Sequence, residues 1–245
     1  MRFIIFMLLV IGLSGCSQKY FRALTPAEAS AIKKYSKEVN TRDGLYHVLI
    51  MTTEGDMVVK LYNETPLHRD NFITKVKAGF YDSLLFHRVI NNFMIQGGDP
   101  NSKKAKPGEA LGNGSAPGDR IAAEFRTEQG IYHKRGVLAA ARDNNPEKAS
   151  SNCQFYIVQR KPWRPAQLDS TIVQRKLTLN EDQKKIYTTL GGTPHLDGGY
   201  TVYGELEVGF DVLDKIAATK TNKADRPEQD VRMRMFVLSE PRKTK

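Results

Sequence analysis

One stretch of the sequence brings four side chains that could recognise a ligand into close spacing: Arg88, Phe93, Met94 and Gln96. They fall on two neighbouring strand-like segments. Because side chains alternate between the two faces of a strand, a bend or bulge between the segments could direct all four at one concave patch. The arginine would bring a planar fork of oriented hydrogen-bond donors to that patch. Phenylalanine and methionine at such positions more often belong to a core, so composition alone leaves pocket and core as open alternatives.

Other patterns that carry chemistry are missing from the sequence. Its five histidines show no metal-ligand spacing, and no Cys-x-x-Cys pair occurs. There is no Gly-x-Ser-x-Gly elbow. The glycine-rich residues 96–99 follow a strand without opening a helix, which argues against a phosphate-binding loop. The sequence therefore predicts neither a metal site nor a cofactor.

Short strands separated by turn signals make up most of the chain after residue 45. We predict strands at residues 47–51, 57–62, 85–89, 93–97, 136–140, 154–159, 201–206 and 231–238. One helix follows Pro66, with Phe72, Val76 and Phe80 at four-residue spacing, and a second covers residues 210–217. This order predicts a mainly β fold, an eight-stranded closed antiparallel barrel capped by two α-helices.

Two long segments interrupt the regular strand spacing. Residues 100–118 are rich in Gly, Asn, Lys and Pro, and we expect an irregular loop there. An insertion at residues 161–192 contains a predicted helix at 181–190, stopped by Gly191 and Gly192. Loops of this length usually carry function or are disordered.

The segment before the predicted barrel, residues 16–44, is polar and mixed in charge. Thr25, Pro26 and Glu28 form a capping-box pattern, which predicts a short helix at residues 26–37. We interpret the segment as a spacer. A helix that docks on the domain is the alternative, although its apolar face is thin.

The first 15 residues have the proportions of a bacterial signal peptide. Arg2 precedes an apolar run, residues 3–13, that is too short to span a bilayer. The following Leu-Ser-Gly before Cys16 is similar to the lipobox of bacterial lipoproteins, in which the cysteine is acylated and anchors the protein. Ser17 stands where the inner-membrane retention signal has aspartate. We therefore expect a lipid-anchored, periplasm-facing protein of the cell envelope, located in the outer membrane.

Composition fits one globular domain with a tail. The 245 residues are 40% hydrophobic and 26% charged, with a formal net charge of +10. The basic residues are scattered and no base-reading motif accompanies them, so we expect no nucleic acid partner. Acylation of Cys16 leaves Cys153 without a disulfide partner. We expect a monomer.

Three ordered blocks resemble the cyclophilin family of peptidyl-prolyl isomerases. Residues 86–99 match the family pattern Phe-His-Arg-x-x-x-x-Phe-Met-x-Gln-Gly-Gly-Asp with the same spacing. The second block is Gly-Val-Leu-Ala-Ala-Ala-Arg at 136–142, followed by Ser-Asn-Cys-Gln-Phe-Tyr-Ile at 151–157. The third is His-Leu-Asp-Gly-Gly-Tyr-Thr-Val-Tyr-Gly at 195–204. The resemblance covers roughly residues 46–238.

The resemblance implies the barrel fold and a role for each matched residue. Arg88 takes the position of the catalytic arginine. The proline pocket would be formed by Phe93, Met94, Tyr156 and Leu196. The peptide on either side would be bound by Gln96, Gln154, Tyr200, His195 and the backbone of Ala141 and Arg142.

Four of these positions depart from the best-known eukaryotic members. His195 replaces a tryptophan, and Tyr156 replaces a phenylalanine. Tyr200 replaces a histidine and Arg142 an asparagine, as in bacterial members. None of these changes removes the arginine or the pocket, so we expect activity.

The activity that the resemblance implies is isomerisation of X–Pro peptide bonds in envelope proteins. Amide resonance sets a rotation barrier of roughly 18–20 kcal/mol, which makes the uncatalysed reaction slow. An arginine near the prolyl nitrogen would stabilise the twisted amide over both planar isomers. The alternative is a periplasmic chaperone that binds peptides in the same groove without isomerising them. Proline-containing segments of unfolded or folding proteins are the partners in either case.

The predicted organisation has four parts. They are a lipoprotein signal peptide at 1–15, a lipid-anchored spacer at 16–44, a cyclophilin-like domain at 45–240 and a basic tail at 241–245. The insertion at 161–192 runs directly into His195 and Leu196, so it should lie beside the pocket. There it either shapes substrate choice or is a neutral, solvated decoration.

Overall fold

Eight antiparallel strands form one curled sheet in the computed structural model, which describes residues 23–40 and 43–241. The strands are β1 (Tyr46–Thr52), β2 (Gly55–Leu61), β3 (Phe86–Ile90), β4 (Met94–Gly97), β5 (Val137–Ala140), β6 (Phe155–Val158), β7 (Val202–Val208) and β8 (Met233–Ser239). The α-helices are α1 (Pro26–Glu38), α2 (Pro66–Lys77), α3 (Pro165–Arg175), α4 (Glu181–Thr189) and α5 (Phe210–Ala217), and 3-10 helices cover Pro100–Lys104, Thr127–Gln129 and Pro194–Leu196. All eight predicted strands are confirmed to within two residues at each end.

The sheet does not close into a continuous barrel, so that prediction is wrong. Its strand order is β3-β4-β6-β5-β7-β2-β1-β8, with β3 and β8 at the two edges. The edges meet at one isolated bridge, Leu85 to Arg232, beside which the Phe86 N–H donates to the Val231 carbonyl (2.9 Å). Both strands begin immediately after the bridge residues. Because the pairing at the bridge is antiparallel, β3 and β8 extend from it in opposite directions. Each edge strand therefore faces a loop rather than the other strand, and the seam stays short.

The main apolar core lies on the inner face of the curled sheet and is covered by two helices, as the sequence predicts. Phe72 and Val76 of α2 and Leu213 and Ile216 of α5 are at most 4% exposed and pack into it. The helical spacing of these residues places them on one face of each helix. Burial of one face of each strand specifies the cross-strand register, and the site depends on that register.

Helix α1 packs on the outer face of the sheet. Its predicted capping box is formed, with Thr25 Oγ1 accepting from the Glu28 N–H (3.3 Å) and Glu28 Oε2 accepting from the Thr25 N–H (2.8 Å). Tyr35 of α1 is buried against Leu49 and Val58 of the sheet. The docking helix, the alternative interpretation of this segment, therefore agrees with the contacts of α1.

The ends of the chain lie outside the described residues. This applies to the predicted signal peptide, to Cys16 and to all but the first residue of the basic tail. Within residues 23–40 and 43–241, no helix has the length and apolarity needed to cross a membrane.

The insertion at 161–192 forms two helices, where the sequence predicts one. The predicted helix is α4. Helix α3 is absent from the prediction, although a proline at its first position, Pro165, is an ordinary start signal. Leu168 and Tyr187, one from each helix, are buried with Tyr132 in a small separate core.

Candidate functional site

Cross-strand register aligns several site residues in one row on the outer face of the sheet. Arg88 of β3 lies opposite Gln96 of β4, which lies opposite Tyr156 of β6, and Tyr156 lies opposite Ala139 of β5. The register is regular from the Arg88–Gln96 pair to the Ile90–Met94 pair, and the one register shift of these two strands lies before Arg88, between Phe86 and Arg88, so the predicted bulge does not lie between the two segments. The arginine and the glutamine therefore lie at one end of a row that continues into apolar side chains.

An apolar cluster occupies the same face beside this row. Its buried members are Met94, Val137, Ala139, Ala141, Tyr156, Val158 and Val202, and the partly buried side chains packed against them include Phe93, Leu196 and Tyr200. The rings of Tyr156 and Tyr200 meet edge to face, with centroids 6.0 Å apart. The Phe93 ring stacks on the imidazole of His195 at 5.8 Å. The structure thus brings all four residues predicted for the proline pocket into one patch.

A polar cleft of about 630 Å³ adjoins the apolar cluster. Gln96 Nε2 donates to Gln154 Oε1 (3.1 Å), and Gln154 Nε2 donates to the carbonyls of Gly112 (2.9 Å) and Gly114 (2.8 Å). The cleft is lined by Gln96, Gly112, Asn113, Gly114, Ser115, Ala116, Gly118, Arg120, Ala141, Arg142, Asp143, Ser151, Asn152 and Gln154. Its walls therefore combine amide, carbonyl and guanidinium groups next to the apolar patch.

The irregular loop at 100–118 is positioned over this cleft by the end of the first motif. Asp99 is fully buried, and its Oδ2 accepts from the Gly112 N–H (2.5 Å). Gly98 has a φ of +95°, and a Cβ there would collide with the carbonyl oxygen of Cys153. Gly98 and Asp99 thus support the loop whose Gly112 and Gly114 carbonyls accept from Gln154.

Ala141 and Arg142 line the cleft, but several of their hydrogen-bonding groups already have partners within the protein. The Ala141 N–H donates to the Gln154 carbonyl (3.0 Å). Arg142 Nε donates to the Gly199 carbonyl (2.8 Å), and its guanidinium lies 4.6 Å from the centre of the Tyr200 ring. The Ala141 donor is therefore already used within the protein, and the Arg142 side chain covers Tyr200. The peptide-binding role of their backbone stays a prediction.

The charge of the site comes from arginine. The Arg88 side chain is 44% exposed, and its Nε lies 3.5 Å from Asp225 Oδ2. Burial, with a contribution from the Arg88 charge, lowers the pKa of His87 to about 4. Burial and the nearby Arg175 charge lower the pKa of His195 to about 4. Both imidazoles are therefore neutral at pH 7, which leaves guanidinium groups as the cationic donors.

A buried chain of polar contacts lies beneath the pocket, and the sequence pattern does not indicate it. Tyr156 Oη and His133 Nε2 are 3.0 Å apart, and His133 Nδ1 lies 3.0 Å from Asp197 Oδ1. Asp197 Oδ2 accepts from Tyr187 Oη (2.5 Å) and Gln183 Nε2 (3.0 Å) of α4. These residues are too far apart in the chain for any spacing signal. Their contacts join the insertion to the pocket floor.

The insertion also begins at the edge of the pocket. The Arg160 N–H donates to the Phe93 carbonyl (3.3 Å), and the Arg160 guanidinium lies 3.7 Å from the centre of the Trp163 ring. The insertion therefore lies beside the pocket. Its influence on substrate choice stays a prediction.

Known proteins match this chain over most of its length. The family model for cyclophilin type peptidyl-prolyl cis-trans isomerases matches residues 47–237. A Staphylococcus haemolyticus protein named "Putative peptidyl-prolyl cis-trans isomerase" is 36% identical over 197 residues, which cover 80% of this chain and 91% of the relative. A Streptococcus pyogenes protein named "Putative bifunctional phosphatase/peptidyl-prolyl cis-trans isomerase" is 37% identical over 189 residues, 75% of this chain and 37% of that relative.

Solved structures agree on the fold. The crystal structure of a Cryptosporidium parvum cyclophilin type peptidyl-prolyl cis-trans isomerase gives a TM-score of 0.60 at 23% identity and covers 80% of this chain and 99% of that one. A second structure of that protein, in the presence of the dipeptide Ala-Pro, gives 0.55 at 22% identity. The family model covers most of this chain, and the Staphylococcus relative is matched over nearly its full length. The chain therefore belongs to the cyclophilin-type peptidyl-prolyl cis-trans isomerases.

Proposed function

We propose that this isomerase accelerates X–Pro rotation in proteins of the cell envelope, with Arg88 stabilising the twisted amide. The observation that carries the proposal is the row in which Arg88 and Gln96 lie next to Tyr156 and the apolar cluster. The proline ring would occupy the apolar cluster. The polypeptide on either side would lie along the polar cleft.

The chemistry requires rotation and no bond breakage. Planar amide resonance produces a barrier of about 18–20 kcal/mol. In the twisted state this resonance is lost, and the prolyl nitrogen becomes pyramidal and a better hydrogen-bond acceptor. A guanidinium that donates to this nitrogen, or to the adjoining carbonyl, stabilises the twisted state more than either planar isomer, and acceleration depends on that difference.

The polar cleft is suited to binding the peptide backbone. Gln96 and Gln154 present amide groups held by each other and by two loop carbonyls, so little side-chain entropy remains to be lost on binding. The Cryptosporidium cyclophilin was solved in the presence of Ala-Pro. We extend to this chain the binding of proline-containing segments of unfolded or folding proteins.

Replacing Arg88 tests the mechanism. We expect Arg88→Ala to lower kcat about 100-fold or more, because losing one donor to a developing charge commonly costs about 10²–10³ in rate. Arg88→Lys keeps the charge without the planar fork and should recover only part of the rate. Proline-limited refolding and a protease-coupled tetrapeptide assay, both on the full chain, measure the effect.

Arg69→Ala is the matched control, because Arg69 is also an ion-paired arginine, 2.7 Å from Asp70, but lies on α2. An unchanged rate in Arg88→Ala would overturn the mechanism. Aggregation suppression by the same variants separates catalysis from holding. A chaperone that only binds would suppress aggregation without isomerase activity in the wild type.

We also propose that a lipid on Cys16 anchors the chain, periplasm-facing, in the outer membrane. The proposal rests on the lipobox-like Leu-Ser-Gly-Cys sequence after the apolar run at 3–13. Cys16→Ser should move the protein from the outer-membrane fraction of a sucrose gradient to the soluble fraction. Cys153→Ser, which alters a buried thiol, is the control and should change nothing. Soluble wild-type protein would refute the proposal.

A further inference from the structure

Three potential metal ligands converge where the chain enters β1. His47 Nε2 lies 3.0 Å from Glu207 Oε2 and 3.5 Å from Asp43 Oδ2. The three ligand atoms all lie within 4.8 Å of one another. Glu207 is the extra residue of a β-bulge in β7, opposite β2. Bulges of this kind re-aim side chains, and they are frequent next to functional sites.

The contact between His47 and Glu207 lacks the direction of a hydrogen bond. His47 is fully buried. Within the described part of the chain, neither His47 Nε2 nor Glu207 Oε2 has a hydrogen-bond partner, although the two atoms are 3.0 Å apart. A buried imidazole nitrogen without a partner is costly, and such groups are rare in folded proteins. The nitrogen therefore lies close to an oxygen of each carboxylate without a hydrogen bond to either.

The contact of His47 Nδ1 bears on whether His47 Nε2 has a free lone pair. His47 Nδ1 lies 2.8 Å from Ser239 Oγ, and the Ser239 hydroxyl donates to the Leu45 carbonyl (3.4 Å). In the tautomer that zinc binding requires, Nδ1 carries the proton and donates it to the Ser239 oxygen. His47 Nε2 then presents a lone pair.

The second oxygen of each acid also has a neighbour. Asp43 Oδ1 accepts from the Leu45 N–H (2.9 Å), and Glu207 Oε1 lies 3.6 Å from Lys60 Nζ. Each carboxylate is thus left with one oxygen directed at the His47 ring. A lone pair facing two anionic oxygens is unfavourable unless a cation lies between them.

We propose that Asp43, His47 and Glu207 bind a zinc ion. One imidazole nitrogen and two carboxylate oxygens are ligands that zinc accepts, with bonds of about 2.0–2.2 Å. Tetrahedral bonds of that length separate ligand atoms by about 3.3–3.6 Å. The two separations that involve His47, 3.0 and 3.5 Å, are close to this range, and the two carboxylate oxygens lie within 4.8 Å of each other. The Ser239 hydroxyl orients the ring through its other nitrogen, as the outer partners of zinc-bound histidines do.

The ion would fasten the chain that follows α1 to the wall of the sheet. Asp43 lies between α1 and β1, whereas His47 and Glu207 lie on β1 and β7. Zinc would therefore stabilise the entry of the chain into the domain. None of the three residues belongs to the proposed proline site, so the ion is not required for isomerisation.

Zinc titration of the full chain tests the proposal. After treatment with EDTA and its removal, calorimetric titration with ZnCl2 should reveal one tight site per chain. Asp43→Asn and Glu207→Gln keep the shape and one acceptor oxygen, and each should weaken this site at least tenfold. Asp169→Asn, which removes an exposed carboxylate from α3, is the matched control and should bind zinc like the wild type. ZnCl2 should raise the Tm of the wild type and the control only.

Several results would overturn the zinc site. They are no zinc binding by the wild type, zinc binding by the two site variants that is as tight as that of the wild type, or a sulfur ligand in the zinc X-ray absorption spectrum, which would assign the metal to a cysteine. If both variants lose the same stability with and without ZnCl2, the cluster stabilises the fold without zinc and the proposal fails. Isomerase activity, unchanged in all variants, confirms that they are folded.

Discussion

The guanidinium of Arg88 forms an exposed ion pair with Asp225. The side chains of Arg88 and Asp225 are 44% and 43% exposed, with 3.5 Å between Nε and Oδ2. An ion pair so open to water contributes little to stability, about 0–1 kcal/mol. We expect its effect to be on orientation, because the pair limits the directions in which the guanidinium could point at a bound peptide.

Neutralising that partner should therefore slow catalysis modestly. We expect Asp225→Asn to lower kcat/KM by up to about fivefold, the rate equivalent of 1 kcal/mol. Asparagine tolerates the left-handed backbone of this position (φ 60°), so the loop should be retained. Tetrapeptide kinetics measure the effect. A loss as large as that of Arg88→Ala would show that Asp225 does more than orient its partner.

His87 makes the stability of the fold depend on pH. Burial lowers its pKa from 6.5 to about 4. Between these two values the unfolded chain binds the proton and the folded chain does not, so stability falls as the pH drops from about 6.5 to about 4. We expect this residue to account for a loss of up to about 3 kcal/mol. Urea unfolding at a series of pH values measures it, and His87→Gln should reduce the slope of the profile, while the part due to His195 should remain. Superimposable profiles for wild type and variant would contradict this assignment.

At the scale of elements, α4 has a physical route to the pocket floor. Asp197 binds Tyr187 and Gln183 of α4 through one oxygen and His133 through the other, and His133 contacts Tyr156. The members of this chain are largely buried, so a shift of α4 would leave polar groups unpaired, which is costly. The insertion can therefore affect the pocket without touching the substrate.

The small core of the insertion should unfold separately when weakened. Leu168 is 1% exposed between α3 and α4, and Leu168→Ala should cost about 2–4 kcal/mol. Hydrogen exchange should increase in α3 and α4 while the sheet keeps its protection. Val173→Ala, at a site on the same helix that is 77% exposed, is the control and should cost less than about 0.5 kcal/mol. Exchange that increases throughout the sheet would show that the insertion is not a separate unit.

The same variant addresses the role of the insertion in substrate choice. If the insertion selects substrates, Leu168→Ala should change the rate on full-length proteins more than the rate on tetrapeptides. If Leu168→Ala leaves the rate on full-length proteins and the rate on tetrapeptides both unchanged, the neutral alternative is supported. We expect a tetrapeptide to occupy the pocket alone, and a protein chain to extend past the edge of the pocket towards Arg160 and Trp163.

At the scale of the whole molecule, exposed apolar side chains are dispersed. Within the described ranges, the large ones are Leu67, Val173, Leu190 and Phe210, which lie on or next to four different helices. Single exposed apolar residues are ordinary surface features and do not form an association surface. We therefore expect a monomer, and sedimentation equilibrium of the full chain in detergent should give the mass of one chain. A dimer mass at micromolar concentration would contradict this.

Much of the candidate site could be predicted because its residues are local in sequence. Arg88, Phe93, Met94 and Gln96 lie within one pair of strands, and the strand period and the motif spacing determine their relative positions. The capping box of α1 and the start of α4 are likewise local patterns of side chain and backbone. Helix α3 carries only a weak signal, its initial proline, and is missed.

The sequence by itself determined the eight strands and the two helices over the core. It also determined the family motifs and the placement of an arginine next to apolar residues. Each of these depends on residues that are near one another in the chain. Only the tertiary structure decided that the sheet stays open, since closure depends on the register between β3 and β8. It also decided that α1 docks and that His133 and Asp197 lie beneath the pocket. The cluster of Asp43, His47 and Glu207 appears for the same reason, because folding brings together residues that no spacing pattern connects.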